Sequence, residues 1–361
     1  MNKIPGPVKL IIKIVLSIAF FSVLLSFVRG NELLELFSRI NWVFFLLSFV
    51  VTVVMVAASC AKWKLILDLK DDIPYRELFR IYMVGYFFSN ILPSTVGGDV
   101  VRSYYAGRLI ENQGYSAVSV FVERFSGIFF LFFLVTVAPL FQTGLYQSPY
   151  ILFPALAGGC LAMITIWVWK AENPFALPDG IARFCLAILR KTGDVPLLGF
   201  FKRVADSLER LYSGIIDRLK KLRKELDVAM AAVRENKRFL QRLILLTVLF
   251  YLLTWVNVYT AFMAFDVHVD FLAICAIVPA IMLVAHVPVT LLGNLGYFES
   301  VFVFYFLLVG VGGAESLAMG LLLRLKMLFM GAIGYIVYLT YRQKFIPDTA
   351  DTLQHGGNKE I

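Results

Sequence analysis

Asn90-Ile-Leu-Pro-Ser-Thr-Val-Gly-Gly-Asp-Val-Val-Arg102 is the stretch on which the reading of this chain turns. Pro93, Gly97 and Gly98 interrupt a helix inside sequence that is otherwise bilayer-compatible. Two charges follow the interruption, Asp99 and Arg102, spaced i and i+3. Lipid tolerates a broken backbone only where protein buries it or where it lines a watery cavity. Interrupted segments of this kind are where membrane transporters hold polar cargo. The stretch therefore implies handling of a polar group within the membrane.

Composition agrees. Of 361 residues, 60 % are hydrophobic and only 16 % charged, with mean hydropathy +0.78. Soluble domains carry about 25 % charged residues, so the chain is a polytopic membrane protein. Apolar runs lie near 9–28, 42–61, 117–138, 150–170, 243–265, 271–291, 298–314 and 318–341. Most approach the ~20 residues that cross a ~30 Å hydrocarbon core, and the run at 298–314 is short. The first run starts basic (Lys3, Lys9, Lys13) and has no small-x-small site before Arg29, so it reads as a retained span. Cys60, Cys160, Cys185 and Cys275 are scattered, and only three histidines are present. No metal site and no cofactor is expected, and no GxxxxGK[ST] phosphate loop occurs.

Basic residues mark cytoplasmic loops. Lys3, Lys9 and Lys13 put the N-terminus inside. The loop 62–80, with Lys62, Lys64, Lys70, Arg76 and Arg80, goes on the same side, as does the region of Arg102 and Arg108. The loop 139–149 has no charge and reads as outside. Residues 170–242 carry sixteen Lys and Arg against nine Asp and Glu, most of the chain's +9, and read as cytoplasmic. Asp266–Asp270 is an acidic external turn, and Arg342 and Lys344 return the C-terminus inside. These sides agree in parity only if residues 81–96 do not cross fully. The expected fold class is thus all-α, a polytopic integral membrane helical bundle of about 8 transmembrane helices plus one or two re-entrant broken segments. A second re-entrant segment, replacing a short late span, stays open.

The membrane domain is placed at 1–345, with a cytoplasmic basic insertion at 171–242. Within that insertion Phe201, Val204, Leu208, Leu211, Ile215, Leu219, Leu222, Leu226 and Val233 recur at helical steps. Residues 200–240 can lie as an amphipathic helix on an anionic leaflet, or pack on the cytoplasmic ends of the spans. Residues 346–361 are expected to be a disordered tail.

A second break repeats the grammar of the first: His286-Val-Pro288-Val-Thr-Leu-Leu-Gly293-Asn-Leu-Gly296-Tyr-Phe-Glu299. Two interrupted segments in corresponding halves point to a transport site at a repeat interface. Glu123 and Arg124 sit near the inner end of the span 117–138, where charges need a partner or a cavity. Arg324 and Lys326 pose the same question in the last span. The candidate set is Asn90, Pro93, Ser94, Gly97, Gly98, Asp99, Arg102, Glu123, Arg124, Pro288, Gly293, Gly296 and Glu299. A structural ion pair is the competing reading for the charged members.

At these breaks, together with Glu123-Arg124, the chain resembles the lysylphosphatidylglycerol synthase transmembrane-region family over roughly 10–340. That family is the flippase-like membrane portion of the bacterial multiple peptide resistance factor, and it also occurs as stand-alone proteins. The resemblance implies an integral-membrane protein, expected to be multi-pass in the cell (inner) membrane, with both termini cytoplasmic by the loop charges above. It would move a lipid with a charged or glycosylated headgroup between leaflets. About twenty residues follow Arg342. The soluble aminoacyl-transferase domain of the full-length factor is therefore not expected here, nor is lysyl-lipid synthesis, and the chain is expected not to be an enzyme. Expected partners are membrane lipids, phospholipid or polyprenyl-linked glycolipid, with no nucleic acid, and a homodimer stays open. In this reading Asp99, Arg102, Glu123, Arg124 and Glu299 line one polar cavity. Its carboxylates would hold a cationic headgroup and its arginines a lipid phosphate. The alternatives are a membrane-embedded enzyme that modifies a lipid or polyprenyl phosphate, and a non-catalytic membrane scaffold.

Overall fold

The structure, a computed structural model, describes residues 22, 30–91, 96–170, 206–209, 212–214, 216, 237–287 and 294–342. The first apolar run, most of the basic insertion, the tail and the tips of both breaks lie outside the described residues, Pro93, Ser94, Pro288 and Gly293 among them.

Among the described residues every regular element is helical. A short helix α1 (Gly30–Ser38) precedes α2 (Trp42–Leu67). The start of α2 is fixed by Asn41, whose Oδ1 accepts from the amides of Val43 and Phe44 at 3.1 and 3.4 Å; this side-chain cap satisfies donors that a helix start leaves open. Next come α3 (Tyr75–Ile91), α4 (Val96–Leu109) and α5 (Gln113–Val137), which continues as a 3-10 segment, Ala138–Gln147. Asn112 caps α5 by accepting from the Tyr115 amide at 2.9 Å. The chain proceeds through α6 (Pro149–Lys170), α7 (Lys237–Met263), α8 (Phe271–Ala285), α9 (Tyr297–Leu307) and α10 (Gly313–Arg342). Five of these segments are long and apolar enough to cross a membrane: α2, α5 with its extension, α6, α7 and α10.

The remaining apolar helices pair into two hairpins of opposite polarity. Helix α4 folds back along α3, with Gly98 against Gly85 and Ser89 near the tip. At the open end Ile73 and Leu78 share an apolar cluster with Ala106 and Ile110. Helices α8 and α9 have 15 and 11 residues, about 22 and 17 Å at 1.5 Å per residue, too short to cross ~30 Å. Their far ends, Asp266–Asp270 and Leu308–Glu315, line one cavity, so this pair also enters and leaves on one side. Helices α8 and α9 thus form a second hairpin, the geometry that a second re-entrant segment in place of a short late span requires.

Two ends of the bundle follow. One gathers the α1–α2 junction, the 3-10 segment, the α7–α8 turn and the α9–α10 turn. There the Asn41 amide donates to Ala264 O at 2.8 Å and Gln142 Nε2 to Asp270 at 3.0 Å. The opposite end gathers 68–74 and 110–112, where Tyr115 Oη donates to Ile66 O at 2.9 Å. The first hairpin opens to this end and the second to the other. Helix α6 crosses between them with mostly exposed apolar residues such as Phe153, Leu156, Met163 and Ile164.

The hairpin reading has a direct check. Cysteines placed singly at Lys70 and Arg108 are expected to react with an impermeant thiol reagent from one and the same side of sealed vesicles. Reaction from opposite sides would require α3 and α4 to cross the membrane between them.

Candidate functional site

Charged side chains meet where α2, α4 and α5 approach each other. The close approach of α3 and α4 at Gly85 and Gly98 draws α4 inward, and a Cβ on Gly85 would sit 3.1 Å from Arg102 Cβ. Arg102 is thereby buried, with its Nη2 2.7 Å from Glu123 Oε2 and its Nε 3.0 Å from Asp99 Oδ1. Lys62 of α2 reaches the other oxygen of Glu123 at 3.4 Å. Arg124 forks onto Asp99, donating from Nη2 at 2.9 Å and from Nε at 3.1 Å. The Arg102 guanidinium also lies 4.9 Å from the ring centres of both Trp63 and Tyr82, an arrangement that stabilises a cation over aromatic faces. Trp63 is held in turn by its indole N–H, which donates to Ser119 Oγ at 2.9 Å.

Charge arithmetic gives the site its chemical sign. Lys62, Arg102 and Arg124 bring three positive charges, and Asp99 and Glu123 two negative ones. Both carboxylates are already engaged, whereas Arg102 Nη1 is buried with no hydrogen-bond partner among the described residues. A buried donor left unmade costs about 1–3 kcal/mol, more for a charged group. The unmatched capacity is therefore a donor, with one excess positive charge. The exposed edge of the cluster is Arg124, whose side chain is 49 % exposed against 3 % for Arg102.

Of the residues singled out from sequence, Asp99, Arg102, Glu123 and Arg124 are brought together. Glu299 is not with them, which corrects the expectation of one shared cavity. Its Oε1 accepts from Arg324 Nε at 2.7 Å, and its Oε2 accepts from the Gly296 amide at 2.8 Å. The reason is local: Gly296 has φ +80 and turns the chain into α9, leaving an open amide that the acid three residues on can cap. Asn90 also turns away from the cluster and donates to Met327 O on α10 at 2.9 Å. Gly97 and Gly98 lie in the first turn of α4, where Gly98 makes the hairpin contact.

Sequence reasoning missed Lys62, Trp63 and Tyr82. Lys62 was assigned to a loop, but α2 runs on to Leu67 and carries it into the interior. The available signal was the unbroken helical run from Val56 through Leu67. Lys326 is likewise buried, with its Nζ 2.5 Å from Asn257 Oδ1. At the far end of the bundle, a cavity of about 990 Å³ is lined by Glu32, Glu35, Asp266, Asp270 and Glu315, among others.

The family model described as "Lysylphosphatidylglycerol synthase TM region" matches residues 10–334. A UPF0104 membrane protein of Methanocaldococcus jannaschii is 24 % identical over 162 residues, 44 % of this chain. The aligned part covers 48 % of that protein, so the chain spans about half the length of the curated relative it matches. No solved structure matches.

Proposed function

Since the chain belongs to the lysylphosphatidylglycerol synthase TM region family, membrane domains of lipid-related proteins, we propose that it carries a phosphate-bearing lipid headgroup between leaflets. The observation that supports this most is Arg102 Nη1, without a hydrogen-bond partner among the described residues, in a buried cluster with one excess positive charge. A phosphate oxygen supplies both the missing acceptor and the missing charge, and a guanidinium matches phosphate geometry. The half-exposed Arg124 gives the headgroup a second donor at the point of entry. Acyl chains stay in lipid throughout, so only the headgroup needs a polar path, and no covalent step is required of the protein.

Side assignment in this reading rests on loop charge. The end of the bundle with Lys70, Arg76, Arg80, Arg108 and Arg242 is taken as cytoplasmic, and the end with Glu32, Glu35, Asp266, Asp270 and Glu315 as external. The site would then be reached from the cytoplasmic side of the first hairpin.

The test is lipid movement in proteoliposomes, read by quenching of headgroup-labelled lipid exposed in the outer leaflet. Labelled phosphatidylglycerol is expected to equilibrate faster than in protein-free vesicles, and a phosphate-free glycosyl diacylglycerol is not. Arg102→Lys keeps a charge for Glu123 but loses the planar fork. It is expected to slow movement about tenfold, the equivalent of about 1.4 kcal/mol. Equal rates for both lipids would remove the phosphate from the reading, and rates equal to empty vesicles would remove transport.

A further inference from the structure

The two ion pairs that tie the hairpins down share one register. Asp99 and Arg124 are 25 residues apart, and so are Glu299 and Arg324. Each acid lies in the first turn of the returning hairpin helix, α4 or α9. Each arginine is the twelfth residue of the long helix that follows, counted from Gln113 in α5 and from Gly313 in α10. Both arginines engage their acid through Nε and Nη2 together. The flanking elements correspond as well: a long helix of 26 or 27 residues, a hairpin, then a second long helix. Because the hairpins open to opposite ends, the two units are related by inversion. Inverted units of this kind work in transporters by moving one against the other around a central site.

The correspondence is selective. In the register that matches Asp99 with Glu299, Arg102 falls on Phe302 and Glu123 on Leu323, both buried apolar residues. The pair that clamps each hairpin is thus present twice, and the charged station around Arg102 once. Exposure separates the two pairs. Asp99 and Arg124 are 17 % and 49 % exposed, whereas Glu299 and Arg324 are 1 % and 8 % exposed. Arg324 is further covered by Phe298, with its guanidinium carbon 5.2 Å from the ring centre.

We infer that Asp99–Arg124 and Glu299–Arg324 are the same latch in two inverted units, and that the latches release in turn to open opposite ends of the bundle. In the structure the first latch stands at the accessible surface and the second is sealed. Glu299 and Arg324 are on this account positioning residues: they touch no headgroup and govern which end the station at Arg102 faces. The inference rests on the transport reading for its purpose, but its geometry makes no use of any particular lipid.

The experiment measures access. In the full chain reconstituted in liposomes, with the four native cysteines replaced, Ser126→Cys beside the station serves as reporter for an impermeant thiol reagent added from either side. Arg124→Gln is expected to raise the reaction rate about fivefold or more from the end that holds residues 68–74, leaving the other end unchanged. Arg324→Gln is expected to do the reverse. The exchange Glu299→Arg with Arg324→Glu should restore the parent rates, since it rebuilds the latch with its charges swapped. If Arg324→Gln does not fold, Arg324→Lys weakens the fork and is expected to shift access in the same direction. A rise from both ends alike, or no change from either, would mean that the pairs only hold the fold together, and would overturn the inference. End-specific access without lipid movement would sink the transport reading alone. Lipid movement without end-specific access would sink the latch alone.

Discussion

Replacing Glu123 by Gln is expected to cost about 3–5 kcal/mol of stability, the usual result of stranding a buried charge by removing its partner. Glu123 is the acid shared by Lys62 and Arg102, both of them buried with it. Arg102 keeps Asp99 in the variant, but Lys62 keeps no carboxylate within reach among the described residues. Adding Lys62→Met removes the stranded ammonium and is expected to return a large part of the loss. Thermal unfolding of detergent-purified protein checks both. A single variant as stable as the parent would show that water already reaches the cluster and that the burial argument fails.

An effect of similar size is expected from a change with no charge at all. A Cβ on Gly98 would overlap Gly85 O and the Ser89 hydroxyl, and would come within 2.9 Å of the Ser89 backbone nitrogen. The hydroxyl can rotate away, whereas the two backbone atoms cannot move unless α3 and α4 separate. Gly98→Ala is therefore expected to lower stability sharply, and Gly98→Val to prevent recovery of monodisperse protein, among the severe outcomes that overpacking produces. Gly114→Ala is the control, because its new Cβ would meet nothing nearer than Asn112 Oδ1 at 3.7 Å. Matching unfolding temperatures for Gly98→Ala and Gly114→Ala would refute the close-contact account of the hairpin.

The first hairpin was legible because its break carries Pro93, Gly97 and Gly98 within six residues, and because loop charges on both sides of it agree in sign. The second could be marked as a break but was left open as a hairpin, since an apolar run records composition and is blind to where a helix stops. The run 271–291 is long enough to cross, yet α8 ends at Ala285. Four of the charged site residues could be named because charge is rare at membrane depth. Lys62 could not, because a lysine near the end of an apolar run looks the same whether it snorkels out or is buried inward. Glu299 was placed in the wrong company for a related reason. A carboxylate three residues after a glycine can cap a helix as readily as line a cavity, and only its 25-residue spacing to Arg324 distinguishes the two.

Helix α6 packs along α5 and leaves most of its apolar side chains exposed, with Ile151 and Ala155 buried among them. Its consequence belongs to biogenesis. Helix α5 ends at the same face where α8 later enters, so without α6 the second half would start from that face and insert the same way up as the first. One additional crossing reverses it. Chain synthesis would then deliver two similar halves to the insertion machinery in opposite senses, and with the side assignment proposed above the strongly basic stretch that follows α6 is placed where retained positive charge can hold that reversal. Removing α6, or neutralising the stretch after it, would turn the second half the wrong way up against the first and prevent the pairings of α2 with α7 and of α3 with α10.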